Sequence, residues 1–103
     1  MQGYRILARN LRCGPGEIDL VVARRGTVAL VEVRMRSSPE RGRPEESIGR
    51  RKRAHLARAA RYLPARLGLP PEQGVRFDAV AVEQRPFGLL LRHLQGYAAA
   101  PPR

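Results

Sequence analysis

Gly16-Glu17-Ile18-Asp19-Leu20-Val21-Val22-Ala23, then Arg24-Arg25-Gly26, then Thr27-Val28-Ala29-Leu30-Val31-Glu32-Val33-Arg34-Met35-Arg36 is the stretch that decides the fold. Two runs rich in β-branched residues flank a short Gly-containing turn, the signature of a β-hairpin. Side chains alternate along a strand, so Glu17, Asp19, Val21 and Ala23 share a face, as do Val28, Leu30, Glu32 and Arg34 on the second strand. With Arg25-Gly26 as a two-residue turn, Arg24 pairs with Thr27. The ladder then sets Val21 opposite Leu30, Asp19 opposite Glu32 and Glu17 opposite Arg34. This register sorts Ile18, Leu20 and Val22 onto the face of Ala29, Val31 and Val33.

Two carboxylates facing each other across a ladder repel, at a cost of a few tenths to about 1 kcal/mol. Among aliphatic neighbours, desolvation makes an unpaired charge worse. The register therefore calls for a cation between Asp19 and Glu32. A divalent metal with Arg34 nearby meets that need. The other reading pairs Glu32 with Arg34 on an exposed sheet face.

A chain of 103 residues is one domain with a single modest core. The domain is expected to span residues 1–97, with 98–103 as a loose C-terminal tail. There is no Trp, and only three Tyr and two Phe, so the core must be mainly aliphatic. Net charge is +11 and the isoelectric point about 11.6, which implies a polyanionic partner, nucleic acid first. No apolar run approaches the roughly 20 residues needed to span a membrane. The single Cys13 makes no internal disulfide, which fits a reducing cytoplasm, and it reads as a turn residue. Lys52 is the only lysine; arginine carries the rest of the positive charge and binds phosphate bidentately.

In chain order, Tyr4 to Arg12 reads as a strand, Cys13 to Gly16 as a turn, and the hairpin follows. Ser37 to Arg43 is a loop. Pro44-Glu45-Glu46 suits a helix start, with the helix running to about Leu63 or past Pro64 to Leu67. Its inner stripe is Ile48, Leu56, Ala59, Ala60 and Leu63. Lys52 lies on that stripe and either snorkels along its methylenes or reaches across to the acidic sheet face. Arg50, Arg51, Arg53, Arg58 and Arg61 spread over the other faces as a phosphate-binding or solvated surface. Val75 to Glu83 and Leu89 to Leu94 are further strands, separated by a Pro86-Phe87-Gly88 turn. Asp78 is expected to pair with Arg76 or Arg5, and His55 and His93 to lie at the surface. The order β-β-β-α-β-β predicts an α/β fold, a mixed central sheet covered by a helix.

The series Gly16-Glu17-Ile18-Asp19-Leu20, Val31-Glu32-Val33-Arg34-Met35-Arg36, Lys52 before an Ala-rich helix, and Arg76-Phe77-Asp78 resembles the YraN family, a bacterial family of endonuclease-like proteins of uncharacterised function. The resemblance covers about Gly3 to Glu83. It implies a restriction-endonuclease-like PD-(D/E)XK core, similar to that of the archaeal Holliday junction resolvases. It further implies that Asp19 and Glu32 bind Mg²⁺ or Mn²⁺, and that Lys52 matches the basic helix position. The Val33 carbonyl follows Glu32 in the strand and is a third candidate ligand. Arg34 stands where the family pattern has Lys; it stays protonated, so it stabilises charge but cannot act as a base. It is also wide enough to fork onto Glu17 or Glu32. The resemblance also implies a preceding helix that carries a Glu. This sequence opens with Met1-Gln2-Gly3 directly before the first strand, so either that helix is absent or the start lies upstream.

These readings make Asp19, Glu32, Arg34 and Lys52 the candidate catalytic residues. Arg34, Arg36, Arg50, Arg51, Lys52 and Arg53 are the candidate nucleic-acid contacts. The expected function is metal-dependent hydrolysis of phosphodiester bonds, in branched or structured DNA. The alternative is a nucleic-acid-binding module on a nuclease fold with weak or no turnover. DNA is expected ahead of RNA, membrane is not expected, and a homodimer stays open. A basic RNA-associated protein with no site would explain the charge but not the paired carboxylates.

Overall fold

A computed structural model describes residues 3–14, 16–36 and 49–96, with only the backbone of Arg36 described. The elements are β1 (Arg5–Cys13), β2 (Gly16–Arg24), β3 (Thr27–Arg36), α1 (Arg50–Arg66), β4 (Val75–Arg85) and β5 (Gly88–Leu94). They form a five-stranded sheet in the order β1-β2-β3-β4-β5. β3 and β4 pair in parallel and the other neighbours are antiparallel, so α1 lies on the crossover between the two parallel strands. The predicted α/β architecture, a mixed sheet with a covering helix, is what the described residues form.

The hairpin forms with the expected pairing of Arg24 with Thr27 and Val21 with Leu30. Arg25 and Gly26 take φ of 50° and 81°, the two positive values that a type I′ turn requires. Leu11, Ile18, Val21, Leu30 and Phe77 are buried under Leu56, Ala59 and Leu63 of α1. Val22, Ala29, Val31, Val80 and Val82 form a second cluster, joined by Tyr4, Leu20 and Val33.

Ile18 corrects the sequence reading. It was expected beside Leu20 and Val22, yet it packs with Val21 under the helix. The regular β2–β3 ladder ends at Leu20–Val31, one step short of Asp19. On the other side, Asn10 of β1 has a positive φ of 49° between the Arg9–Leu20 and Leu11–Ile18 pairs. Alternation breaks at this level of both strands, and the residues beyond it change face. Arg34 is likewise not paired with Glu17, which sits on the β1 side against Arg12.

α1 runs past Pro64 to Arg66, and Leu69 N–H closes its end on the Pro64 carbonyl at 2.7 Å. The helix start expected at Pro44 to Glu46, Ile48 of the inner stripe, the 37–43 loop and the 98–103 tail lie outside the described residues. Cys13 ends β1 rather than sitting within the turn, and its buried thiol donates to the Ala59 carbonyl at 3.3 Å. Burial pushes that thiol's pKa up.

Candidate active site

Glu32 lies on β3 in line with Val28 and Leu30, on the face that α1 covers, and is only 4% exposed. Asp19 is two residues before Val21 on β2, where the ladder has stopped. Its Oδ2 accepts the Val33 N–H at 2.8 Å, so a side chain replaces the missing backbone acceptor. Antiparallel strands exchange both groups of a residue with one neighbour, which turns the Val33 carbonyl to the same side as its N–H.

The two carboxylates meet. The Glu32 carboxyl is pushed up to about 7, first by desolvation, then by the hydrogen bond it shares with Asp19 and by the charge of Asp19. Lys52 works against this shift. Its Nζ lies 3.1 Å from Glu32 Oε2. Of the two readings of Lys52, the reach across to the acidic face is therefore the one that forms. Glu32 Oε2 makes no well-aligned hydrogen bond, so the contact with Lys52 is an ion pair of imperfect geometry.

Arg34 follows two residues after Glu32, half-buried on the same face. It does not fork onto Glu17 or Glu32 among the described residues, and its Nε is buried without a hydrogen-bond partner. Lys52, reaching from the helix, holds the position on Glu32 that Arg34 was expected to compete for. Arg50 and Arg51 are exposed at the start of α1, and Arg53 is half-buried. No acidic residue stands in the first turn of α1. Arg50, Arg51, Lys52 and Arg53 therefore crowd positive charge onto the positive end of the helix dipole, which is unfavourable by about 0.3–1 kcal/mol per charge.

No group of three or more His, Cys, Asp or Glu side chains gathers among the described residues. What fits a hard divalent cation is the pair itself: two adjoining carboxylates, one of them with its ionised form disfavoured, that a second cation would relieve.

Asp78 takes no part in this pair. It is 1% exposed and faces the second cluster with Val80 and Val82. Arg76 holds it through two bonds of 2.8 Å, from Nε to Oδ1 and from Nη2 to Oδ2, and the Gly96 N–H adds a third at 2.9 Å. The expected pairing with Arg76 thus forms. His93 was expected at the surface; instead its Nε2 lies 2.8 Å from Asp78 Oδ2, with its ring edge-on to Tyr4. The signal was present in the pattern, because pairing β5 with β4 sets His93 beside Val80, two residues from Asp78 on the same face.

The model of the uncharacterised protein family UPF0102, the YraN family, matches residues 1–82. A UPF0102 protein of Moorella thermoacetica is 50% identical over 80 residues, covering 78% of this chain and 66% of that protein. One from Lachnoclostridium phytofermentans is 38% identical over 98 residues, covering 95% of this chain and 83% of its own length. One from Thermus thermophilus is 41% identical over 93 residues, 90% of this chain and 80% of its own. No described helix is long and apolar enough to cross a membrane.

Proposed function

The chain belongs to the UPF0102 family, and from the geometry of Asp19, Glu32 and Lys52 we propose that it is a metal-dependent endonuclease with a restriction-endonuclease-like core, acting on branched or structured DNA. One observation carries this reading: two adjoining carboxylates, forced together under a helix whose first turn is entirely basic. A structural role alone gives no reason to place an acidic pair there. Asp19 and Glu32 would hold Mg²⁺ or Mn²⁺, with the Val33 carbonyl as a third oxygen. A cation bound there supplies activation of a water and neutralisation of charge developing at the phosphorus.

The chain's own groups supply the rest. Lys52 and Arg34 flank Glu32 and hold the scissile phosphate, Arg34 through a guanidinium whose Nε has no protein partner. Arg34 stays protonated, so it orients and neutralises the phosphate without taking a proton. Arg50, Arg51 and Arg53 receive the flanking backbone; the Arg36 side chain, also expected there, lies outside the described ones. An anion at the start of α1 also relieves the clash of these cations with the helix dipole.

The test is a time course on labelled branched DNA with Mn²⁺, native protein beside Glu32→Ala. Nicking by the native chain alone supports the proposal. A second reading, binding without turnover, is favoured by the two-carboxylate count among the described residues and by Arg34 in the Lys position. It predicts Mn²⁺ and DNA binding but equal backgrounds. Both readings predict that log K falls with log salt by about 0.9 per phosphate contact on duplex DNA. A slope near zero in a fluorescence titration would sink both.

A further inference from the structure

A cavity of about 610 Å³ opens at the hairpin turn, beyond the C-terminal end of α1 and on the side of the sheet that the helix covers. Its volume lies within the ~300–1,000 Å³ of small-molecule sites. Its floor is apolar, with Val28 buried in the cluster under α1 and Leu69 packed against it. Its rim is cationic: Arg5, Arg24 and Arg25 line it, and no carboxylate does among the described residues. The Arg24 guanidinium lies 4.9 Å from the centre of the Tyr4 ring, which packs with the second cluster. Arg24 therefore borders the cavity with its aliphatic chain, beside Gly3, and the charge of the rim comes from Arg5 and Arg25. Arg5 and Arg25 are exposed. Gln73 Nε2 donates to the carbonyls of Gly26 and Gly74 at 3.1 and 3.0 Å, which commits both amide hydrogens. Gln73 Oε1 is left as the one side-chain acceptor among the described residues that line the cavity.

An apolar floor, a rim of guanidinium groups and one fixed acceptor match a ligand with a flat apolar body, an anionic end and an N–H donor. We propose that this cavity binds a nucleoside phosphate. The phosphate forks onto Arg5 and Arg25, the base lies on Val28 and Leu69, and an exocyclic amino group donates to Gln73 Oε1. The site is separate from the carboxylate pair, since Val28 and Glu32 are four residues apart along β3, roughly 13 Å at ~3.3 Å per residue. It does not depend on the nuclease reading. A free nucleotide and one nucleotide of a polynucleotide offer the same chemistry.

The experiment follows backbone amide resonances during titration of the whole chain with AMP, adenosine and inorganic phosphate. The expected result is saturable shifts at Arg24, Arg25, Gly26 and Gln73 with AMP, and binding of phosphate or adenosine weaker by roughly tenfold or more. Arg5→Gln combined with Arg25→Gly should weaken AMP by a similar factor. Gly suits the positive φ of position 25, so the turn survives, and melting curves verify this. Glu32→Gln should leave AMP binding unchanged. A short oligonucleotide that displaces AMP at lower concentration assigns the site to polynucleotide; AMP binding the tighter assigns it to free nucleotide. The proposal is overturned if AMP gives no saturable shift at these amides, if the double variant binds AMP as well as native, or if phosphate alone binds as tightly as AMP.

Discussion

Asp19 has two tasks at once. Its Oδ2 satisfies the Val33 N–H that the interrupted ladder would leave bare, and its charge presses on Glu32. The substitution Asp19→Asn separates these tasks, because the amide oxygen still accepts from Val33 while the charge is gone. In metal-free buffer above pH 7, where Glu32 is ionised and the two carboxylates repel, this variant should be as stable as native or up to about 1 kcal/mol more stable. Urea midpoints measure this, and a clear loss would mark Asp19 as a structural ion-pair partner. Calorimetry with Mn²⁺ should give heat for the native chain and none for Asp19→Asn. Arg34 belongs to the same scale. Because Lys52 and not Arg34 sits on Glu32, Arg34→Lys frees no carboxylate oxygen. Mn²⁺ affinity should be unchanged in that variant, and an increase would mean that Arg34 does compete for the pair.

At the scale of elements, the junction of β1 and β2 depends on one glycine. Gly14 has φ of 59°, and a Cβ there would lie 2.6 Å from Tyr62 Cδ2 on α1. Gly14→Ala should therefore lower stability by about 1–3 kcal/mol. Tyr62 is exposed enough to swing aside, so Tyr62→Ala in the same background should recover the contact part of that loss and leave the backbone part. A double-mutant cycle in urea separates the two, and no recovery would mean the cost is backbone strain alone. The elements themselves were legible in the sequence, because β-branched runs, Gly turns and the Leu56–Ala59–Leu63 spacing each point to one local structure. The ladder from Arg24–Thr27 to Leu20–Val31 was legible too, but its expected continuation to an Asp19–Glu32 pair does not form. Asp19 nears Glu32 past the end of the ladder, with its side chain on the Val33 N–H. The face of Ile18 was not, because the break at Asn10 and Asp19 depends on backbone angles that no residue pattern announces. Nor was the reach of Lys52, whose flexible stem permits either direction until the helix is docked.

Across the whole molecule, one polar cluster joins the two ends of the described chain. Tyr4 precedes β1, Arg76 and Asp78 lie on β4, His93 on β5, and Gln95 and Gly96 follow it. Arg76 Nη2 donates to the Tyr4 hydroxyl at 2.7 Å, and Gln95 Nε2 to the same oxygen at 3.3 Å. Asp78 is the centre. Burial by itself would raise its carboxyl, but the bonds from Arg76, the Gly96 N–H and His93 outweigh that and hold it below the usual carboxylate range. A depressed folded-state pKa means that the unfolded chain binds the proton more readily. The stabilisation is therefore fully present above the unfolded value near 3.8 and is lost as pH falls through the folded one. Asp78→Asn removes the charge and leaves Arg76 facing an amide. Arg76 is partly exposed and recovers some hydration, so the cost at neutral pH should sit near the low end of the range for broken buried pairs, about 3 kcal/mol. Urea midpoints of native and variant should differ clearly at neutral pH, and the difference should shrink as pH falls below 3.8 toward the folded value. A difference that persists undiminished in acid would mean that packing, not the ionised carboxylate, makes Asp78 the centre of the cluster.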